Sequence, residues 1–161
     1  MVHCKAYRDG LTLRNLVMSW DEGPFLVSKR NKLSPQHKAS IKDSDGKLVF
    51  DLKKVGTINP KYYVSVTESN KYTFGKKFDL NNDLSMRCEL LGNPYYLLET
   101  EREQGDWTYY VYKDDEPVAR VQINRDEESP TVKGRSRQSY EIESEPEDIM
   151  FVSMMVCVMD M

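Results

Sequence analysis

Residues that support catalysis or metal binding are scarce in this 161-residue chain. It holds two histidines, His3 and His37, and three cysteines, Cys4, Cys88 and Cys157. No two cysteines stand in C-x-x-C spacing, so neither a zinc ribbon nor a dithiol redox pair is indicated, and an odd count without ligand spacing points to free thiols in a reducing compartment. His3 precedes Cys4, but adjacency in sequence does not give the geometry of a catalytic dyad. Cys88 and Cys157 read as inert core thiols. There is no G-x-G-x-x-G, P-loop, H-E-x-x-H or EF-hand spacing. The run Asp114-Asp115-Glu116 reads as a solvated hairpin turn rather than a cation loop. A non-enzymatic protein without metal or cofactor is expected.

Long apolar runs are also missing, with one exception. Mean hydropathy is −0.66 and 30% of the residues are charged. The opening MVHCKAYRDG is polar and shows no secretory signal. No N-x-S/T sequon, myristoylation start or CaaX ending is present. These features predict a cytoplasmic protein, and the length suits one domain over residues 1–161.

The exception is Ile149–Met159, apolar everywhere but Ser153. A membrane-spanning helix needs about 20 apolar residues to cross roughly 30 Å of hydrocarbon. As a helix this segment reaches only about 16 Å. A buried strand is the alternative, since Val152, Val156 and Val158 favour strands, but the run does not alternate and its Met residues favour a helix. Its start carries helix signals: Ser144 and Glu147 in capping-box spacing, Pro146 in the first turn, and Glu147 and Asp148 at the positive end of the dipole. The sequence therefore predicts a helix that is apolar on every side, and such a helix must be surrounded by protein.

The rest of the chain supplies the surroundings. In Ser40–Lys54, Asp45-Gly46 offers the positive φ angles of a tight turn. Leu48, Phe50 and Leu52 then alternate with charged residues, the period of a half-buried strand. Trp107–Arg125 repeats the design around an acidic turn with Pro117, and Leu16–Lys32 repeats it around Asp21-Glu22-Gly23. Further strands are predicted at Lys61–Thr67, Lys71–Phe78, Leu84–Leu90, Tyr95–Glu101 and Gln138–Ser144. Arg125–Arg137, with Pro130 and Gly134, is the most loop-like stretch. Small barrels are filled by their own side chains, whereas cans of about eleven strands hold a central helix. The expectation is an all-β closed barrel of about twelve strands enclosing a C-terminal hydrophobic helix. Methionine, which adapts its shape, suits such an irregular interior.

This order of elements resembles the tubby C-terminal-like superfamily, which includes the phospholipid scramblases, and most of all the LURP-one-related proteins. The likeness rests on SDGKLVFDLKK, VYKDDEPVARVQ and the ending YEIESEPEDIMFVSMMVCVMD, in which a tyrosine-containing strand and an acidic pair precede an apolar helix that closes on Asp160. The helix is richer in Met here than the family's usual Leu, Ile, Val and Ala. The resemblance implies a non-enzymatic domain. Tubby domains bind phosphoinositides and scramblases act on membrane phospholipids. No residue of their lipid sites matches a particular position here.

Charge is unevenly distributed. Residues 1–80 carry fifteen Lys and Arg against eight Asp and Glu, while residues 81–161 carry eight against eighteen. Such polarity lets one surface face phosphates and another face cationic partners. The basic residues Lys29, Arg30, Lys32, Lys53, Lys54, Lys71, Lys76 and Lys77 are the candidate lipid-headgroup site, because successive strands tend to be neighbours and their charges would gather on one sector. Four lysines near an anionic surface, at about 1 kcal/mol each, would hold a protein there peripherally. Tyr62, Tyr63 and Tyr72 lie among them, with Tyr62 expected in the core and Tyr63 on the surface. The competing reading of the lysines is a solubilising ring. Two functions are thus expected: a module for anionic phospholipid or phosphoinositide headgroups, or a protein-interaction scaffold with acidic and basic faces. A nucleic-acid role would need stacking aromatics in a basic groove, which the sequence does not place.

Overall fold

The computed structural model describes residues 1–9, 15–31, 37–57, 60–66, 71–78, 84–90, 93–103, 106–128 and 136–161. Among them run twelve strands: β1 (Val2–Asp9), β2 (Asn15–Trp20), β3 (Phe25–Asn31), β4 (Lys38–Lys42), β5 (Leu48–Val55), β6 (Lys61–Ser65), β7 (Lys71–Phe78), β8 (Leu84–Leu90), β9 (Asn93–Glu103), β10 (Asp106–Lys113), β11 (Glu116–Glu128) and β12 (Ser136–Ser144). A 3₁₀ turn, Pro146–Asp148, leads into the one helix among the described residues, α1 (Ile149–Asp160). The result is an antiparallel sheet with a C-terminal helix. Each strand pairs with its sequence neighbours, and β1 pairs with β12 as well as with β2.

The period-2 alternation decides which side chains meet the helix. Leu26 and Ser28 of β3, Ala39 and Ile41 of β4, Phe50 and Leu52 of β5, Tyr62 and Val64 of β6 and Phe74 of β7 are buried. On the far side of the sheet Ala6, Met18, Val111, Val121, Tyr140 and Ile142 join the same core. Every residue of α1 except Met150 is buried, as an all-round apolar helix requires. Its one internal polar residue has a partner: the Trp20 indole Nε1–H donates to Ser153 Oγ at 3.0 Å. The turn after β2 presses against both. A Cβ on Gly23 would stand 3.0 Å from Trp20 Cβ and 3.4 Å from Ile149 Cδ1, so any larger residue would push the turn and the Trp20 side chain slightly apart.

The turns follow the sequence chemistry. Gly46 has φ +78°, and the Asp43 carboxylate accepts from the backbone N–H of Asp45 and Lys47, both at 3.0 Å. Between β10 and β11, Asp114 and Asp115 both take positive φ, 49° and 66°, the conformation of a two-residue type I′ hairpin.

Two expectations need correction. Ser144 does not cap the helix. It is the last residue of β12, and its hydroxyl donates to the Glu145 carbonyl at 2.9 Å. The 3₁₀ turn intervenes, so Asp148 is the residue before α1 and makes no side-chain cap. The loop expected from Arg125 is strand as far as Glu128, and Glu127 and Glu128 pair with Arg137 and Ser136 after a register shift. Residues 129–135 of that stretch lie outside the described residues.

Candidate functional site

Where the helix ends, charge enters the interior. Asp160 terminates α1 with its side chain 2% exposed. Arg8 Nε donates to Asp160 Oδ1 at 2.8 Å and Arg8 Nη2 to the Asp160 carbonyl at 3.1 Å. From β3, Arg30 Nη2 donates to Asp160 Oδ2 at 2.8 Å and also to the Asp160 carbonyl. The Tyr140 hydroxyl donates to Oδ1 at 3.1 Å and accepts from Gln138 Nε2 at 2.9 Å. Two cations at a helix C-terminus oppose its negative dipole end. Burial disfavours the charge of Arg8, but the carboxylate beside it raises its pKa above the ordinary value. Burial first, and then Asp160, push the Tyr140 phenol well up. The network clamps the helix end to β1, β3 and β12.

Cysteine chemistry recedes in the same interior. Burial pushes the Cys4 thiol up to about 12 and raises that of Cys157 as well, which leaves both as thiols at neutral pH and poor nucleophiles. The Cys88 side chain lies outside the described residues.

The outer face of β4–β7 has a different character. Register places Lys38 opposite Lys53, Lys53 opposite Tyr63 and Tyr63 opposite Thr73. One row over, Val55 faces Lys61 and Lys61 faces Gly75. On the other side Lys29 faces Ser40, Ser40 faces Asp51 and Asp51 faces Ser65. Like charges directly opposite on neighbouring strands are unfavourable. Among the described residues, neither Lys38 nor Lys53 has a carboxylate within ion-pair distance. Asp51 instead accepts from Ser40 Oγ at 3.0 Å. Between these side chains lies a half-open groove of about 310 Å³, lined by Lys38, Lys53, Tyr63, Ser40, Asp51 and Ser65 among others.

The candidate residues separate by position along their strands. Lys29 is exposed on the outer face, and half-buried Lys53 lines the groove. Arg30 and Lys54, their immediate neighbours, turn inward: Arg30 is held by Asp160, and Lys54 Nζ sits 5.9 Å from the centroid of the Tyr62 ring. Lys71, Lys76 and Lys77 are residues of β7, but their side chains lie outside the described residues, as does Lys32 altogether. Tyr62 is core at 1% exposure and Tyr63 surface at 42%, the division expected from alternation.

Lys38 escaped the sequence reading because S-P-Q-H-K looked like a turn. The alternation of Lys38, Ser40 and Lys42 against Ala39 and Ile41 was the signal that would have found it. Arg8 carried no comparable signal, since its partner is 152 residues away.

A second groove of about 310 Å³ crosses β1, β2, β11 and β12 on the outer face. It has mixed charge: His3, Lys5 and Arg120 lie beside Glu141, Glu143 and Asp21, with His3 Nδ1 3.6 Å from Glu143 Oε1.

A family model described as LURP-one-related matches residues 14–160, which take in β2 through the end of α1. No curated protein and no solved structure matches the chain. Among the described residues no helix is long and apolar enough to cross a membrane.

Proposed function

The chain belongs to the LURP-one-related family, and from that premise we propose that it is a non-enzymatic binding module for anionic phospholipid headgroups. It works peripherally at a membrane surface, on a sheet that we take to close into a barrel around α1. The observation that carries the reading is the facing pair Lys38 and Lys53 beside exposed Tyr63. Two lysines with Cβ atoms about 5 Å apart, and no carboxylate at ion-pair distance among the described residues, oppose folding slightly, and a bound phosphate group relieves that repulsion. Lys29 and Lys61 flank the pair on the same outer face. Each such lysine near an anionic bilayer contributes about 1 kcal/mol. Phosphoinositide headgroups, with several phosphates, fit the same lysines.

The test is co-sedimentation with vesicles, phosphatidylcholine alone against phosphatidylcholine with phosphatidylserine or a phosphoinositide, at low and at physiological salt. Binding to the anionic vesicles that persists at physiological salt supports the module. Absence of binding at both salts removes it. The protein-interaction scaffold then becomes the working reading, with the mixed-charge groove of His3, Lys5, Arg120, Glu141 and Glu143 as its docking surface.

A further inference from the structure

The described residues expose large apolar side chains in two places besides Met1. Phe25, 42% exposed, and Leu48, 49% exposed, begin β3 and β5, next to the acidic turns that hold Asp21 and Glu22 and Asp43 and Asp45. Val55, 43% exposed, and Tyr63, 42% exposed, lie on the outer face of β5 and β6 at the opposite end of those strands. Single exposed apolar residues are ordinary. The second pair differs in its surroundings. Tyr63 faces Lys53, Val55 faces Lys61, and Lys38 lies beyond Lys53. With strands about 4.8 Å apart and alternate residues about 7 Å apart, the five side chains form a checkerboard roughly 10 Å across. Beyond Lys61 the row continues through Gly75, where an added Cβ would meet nothing within 4 Å among the described residues, to Arg87 of β8.

We propose that Val55 and Tyr63 insert into an anionic bilayer, so that the β4–β6 outer face is the contact surface and the acidic turns point away from the membrane. This rests on the headgroup reading and adds an apolar contact to it. Charge complementarity selects this apolar pair: Val55 and Tyr63 face Lys61 and Lys53, whereas Phe25 follows Asp21 and Glu22, and Leu48, although it faces Lys42 and follows Lys47, shares its turn with Asp43 and Asp45. The partner is a bilayer rather than a free headgroup, because an aliphatic side chain gains only from leaving water, and a tyrosine ring with its hydroxyl suits the interfacial zone.

Single Tyr63→Trp and Val55→Trp variants test the insertion, with Phe25→Trp as the control. The native indoles of Trp20 and Trp107 are 4% and 2% exposed and supply a constant background. The probe is vesicles of phosphatidylcholine with phosphatidylserine, with or without bromine on the acyl chains. Insertion predicts a blue shift and bromine quenching for the indole introduced at position 63 or 55 and neither for the one at 25. Soluble phosphoserine should give no shift. In parallel, Val55→Ala should weaken vesicle binding about three- to tenfold, as expected for losing part of a buried aliphatic side chain, with the salt dependence unchanged. If the protein sediments with anionic vesicles but positions 55 and 63 stay unshifted and unquenched, or Val55→Ala binds like the native chain, insertion is wrong and headgroup binding stands. If it does not sediment at all, both fall.

Discussion

Two faces of one sheet hold cations for opposite purposes. Arg30 and Lys54 point toward the helix, where Asp160 and the Tyr62 ring occupy them. Lys29 and Lys53, their immediate neighbours in sequence, point outward and meet hydroxyls and another lysine. Parity along a strand thus decides whether a basic residue meets the interior or the outer face, where the proposed ligand would bind. The difference also separates the energetics. The inner pairs are part-buried, so their loss is felt in stability. The outer lysines are solvated, so on the proposed function their loss is felt in binding rather than in stability.

The sharpest way to break the inner face is Asp160→Ala. It leaves Arg8 and Arg30 without their carboxylate and Tyr140 without its acceptor. Removing one partner of a fully buried pair costs about 3–5 kcal/mol. The arginines are 31% and 28% exposed, which admits water and reduces the expected loss to about 2–4 kcal/mol, read from the urea midpoint.

The interior also has an alkaline response. Burial raises the folded-state pKa of Cys4, Cys157 and Tyr140 above their ordinary values. Below pH about 8.5, where thiols and phenols stay protonated in both states, this stability is fully present. As pH climbs past those ordinary values the unfolded chain releases protons that the folded chain keeps, and stability falls by about 1.4 kcal/mol per pH unit for each ionising group. For Cys4 the fall continues until its folded value of about 12. Urea titrations between about pH 8 and 11, roughly the range in which free thiols and phenols ionise, should show the decline, and Cys4→Ala should make it shallower.

The outer face responds in the opposite sense. Lys53→Glu reverses one charge in the patch and should weaken binding to anionic vesicles about 30-fold, two lysine-equivalents at about 1 kcal/mol each. It also converts the Lys38–Lys53 repulsion into an opposite-charge pair, so stability should hold or rise by about 0.2–1 kcal/mol. A variant that binds worse and folds better would separate the two faces cleanly. The smallest effect belongs to the β10–β11 turn. Asp115→Gly relieves a non-glycine residue at φ 66° and should stabilise by less than about 1 kcal/mol, with vesicle binding unchanged.

Much of this division was legible in the chain. Asp45-Gly46 and Asp21-Glu22-Gly23 announced their turns, and Lys71–Phe78 and Leu84–Leu90 fall on β7 and β8 with the bounds their patterns suggested. The helix was legible because the run is too short to span a bilayer, its Met residues favour helix over strand, and Pro146, Glu147 and Asp148 suit a helix start. Its start was misplaced by four residues because Ser144 and Glu147 fit a capping box that the chain uses for a strand end and a 3₁₀ turn. The candidate site was legible only as a set of cations. Which of them face out depends on strand register, and the Arg8–Asp160 and Tyr140–Asp160 contacts depend on where the helix ends. Long-range partners of that kind leave no local pattern.

The most direct measurement compares Lys53→Gln with Lys54→Gln in sedimentation against phosphatidylserine-containing vesicles at physiological salt. The substitutions are chemically identical and adjacent. If the outer face binds the membrane, Lys53→Gln weakens binding about fivefold, the equivalent of about 1 kcal/mol, and Lys54→Gln leaves it within the scatter of the native protein. Equal losses, or a larger loss for Lys54→Gln, would contradict the assignment of the outer face as the binding surface.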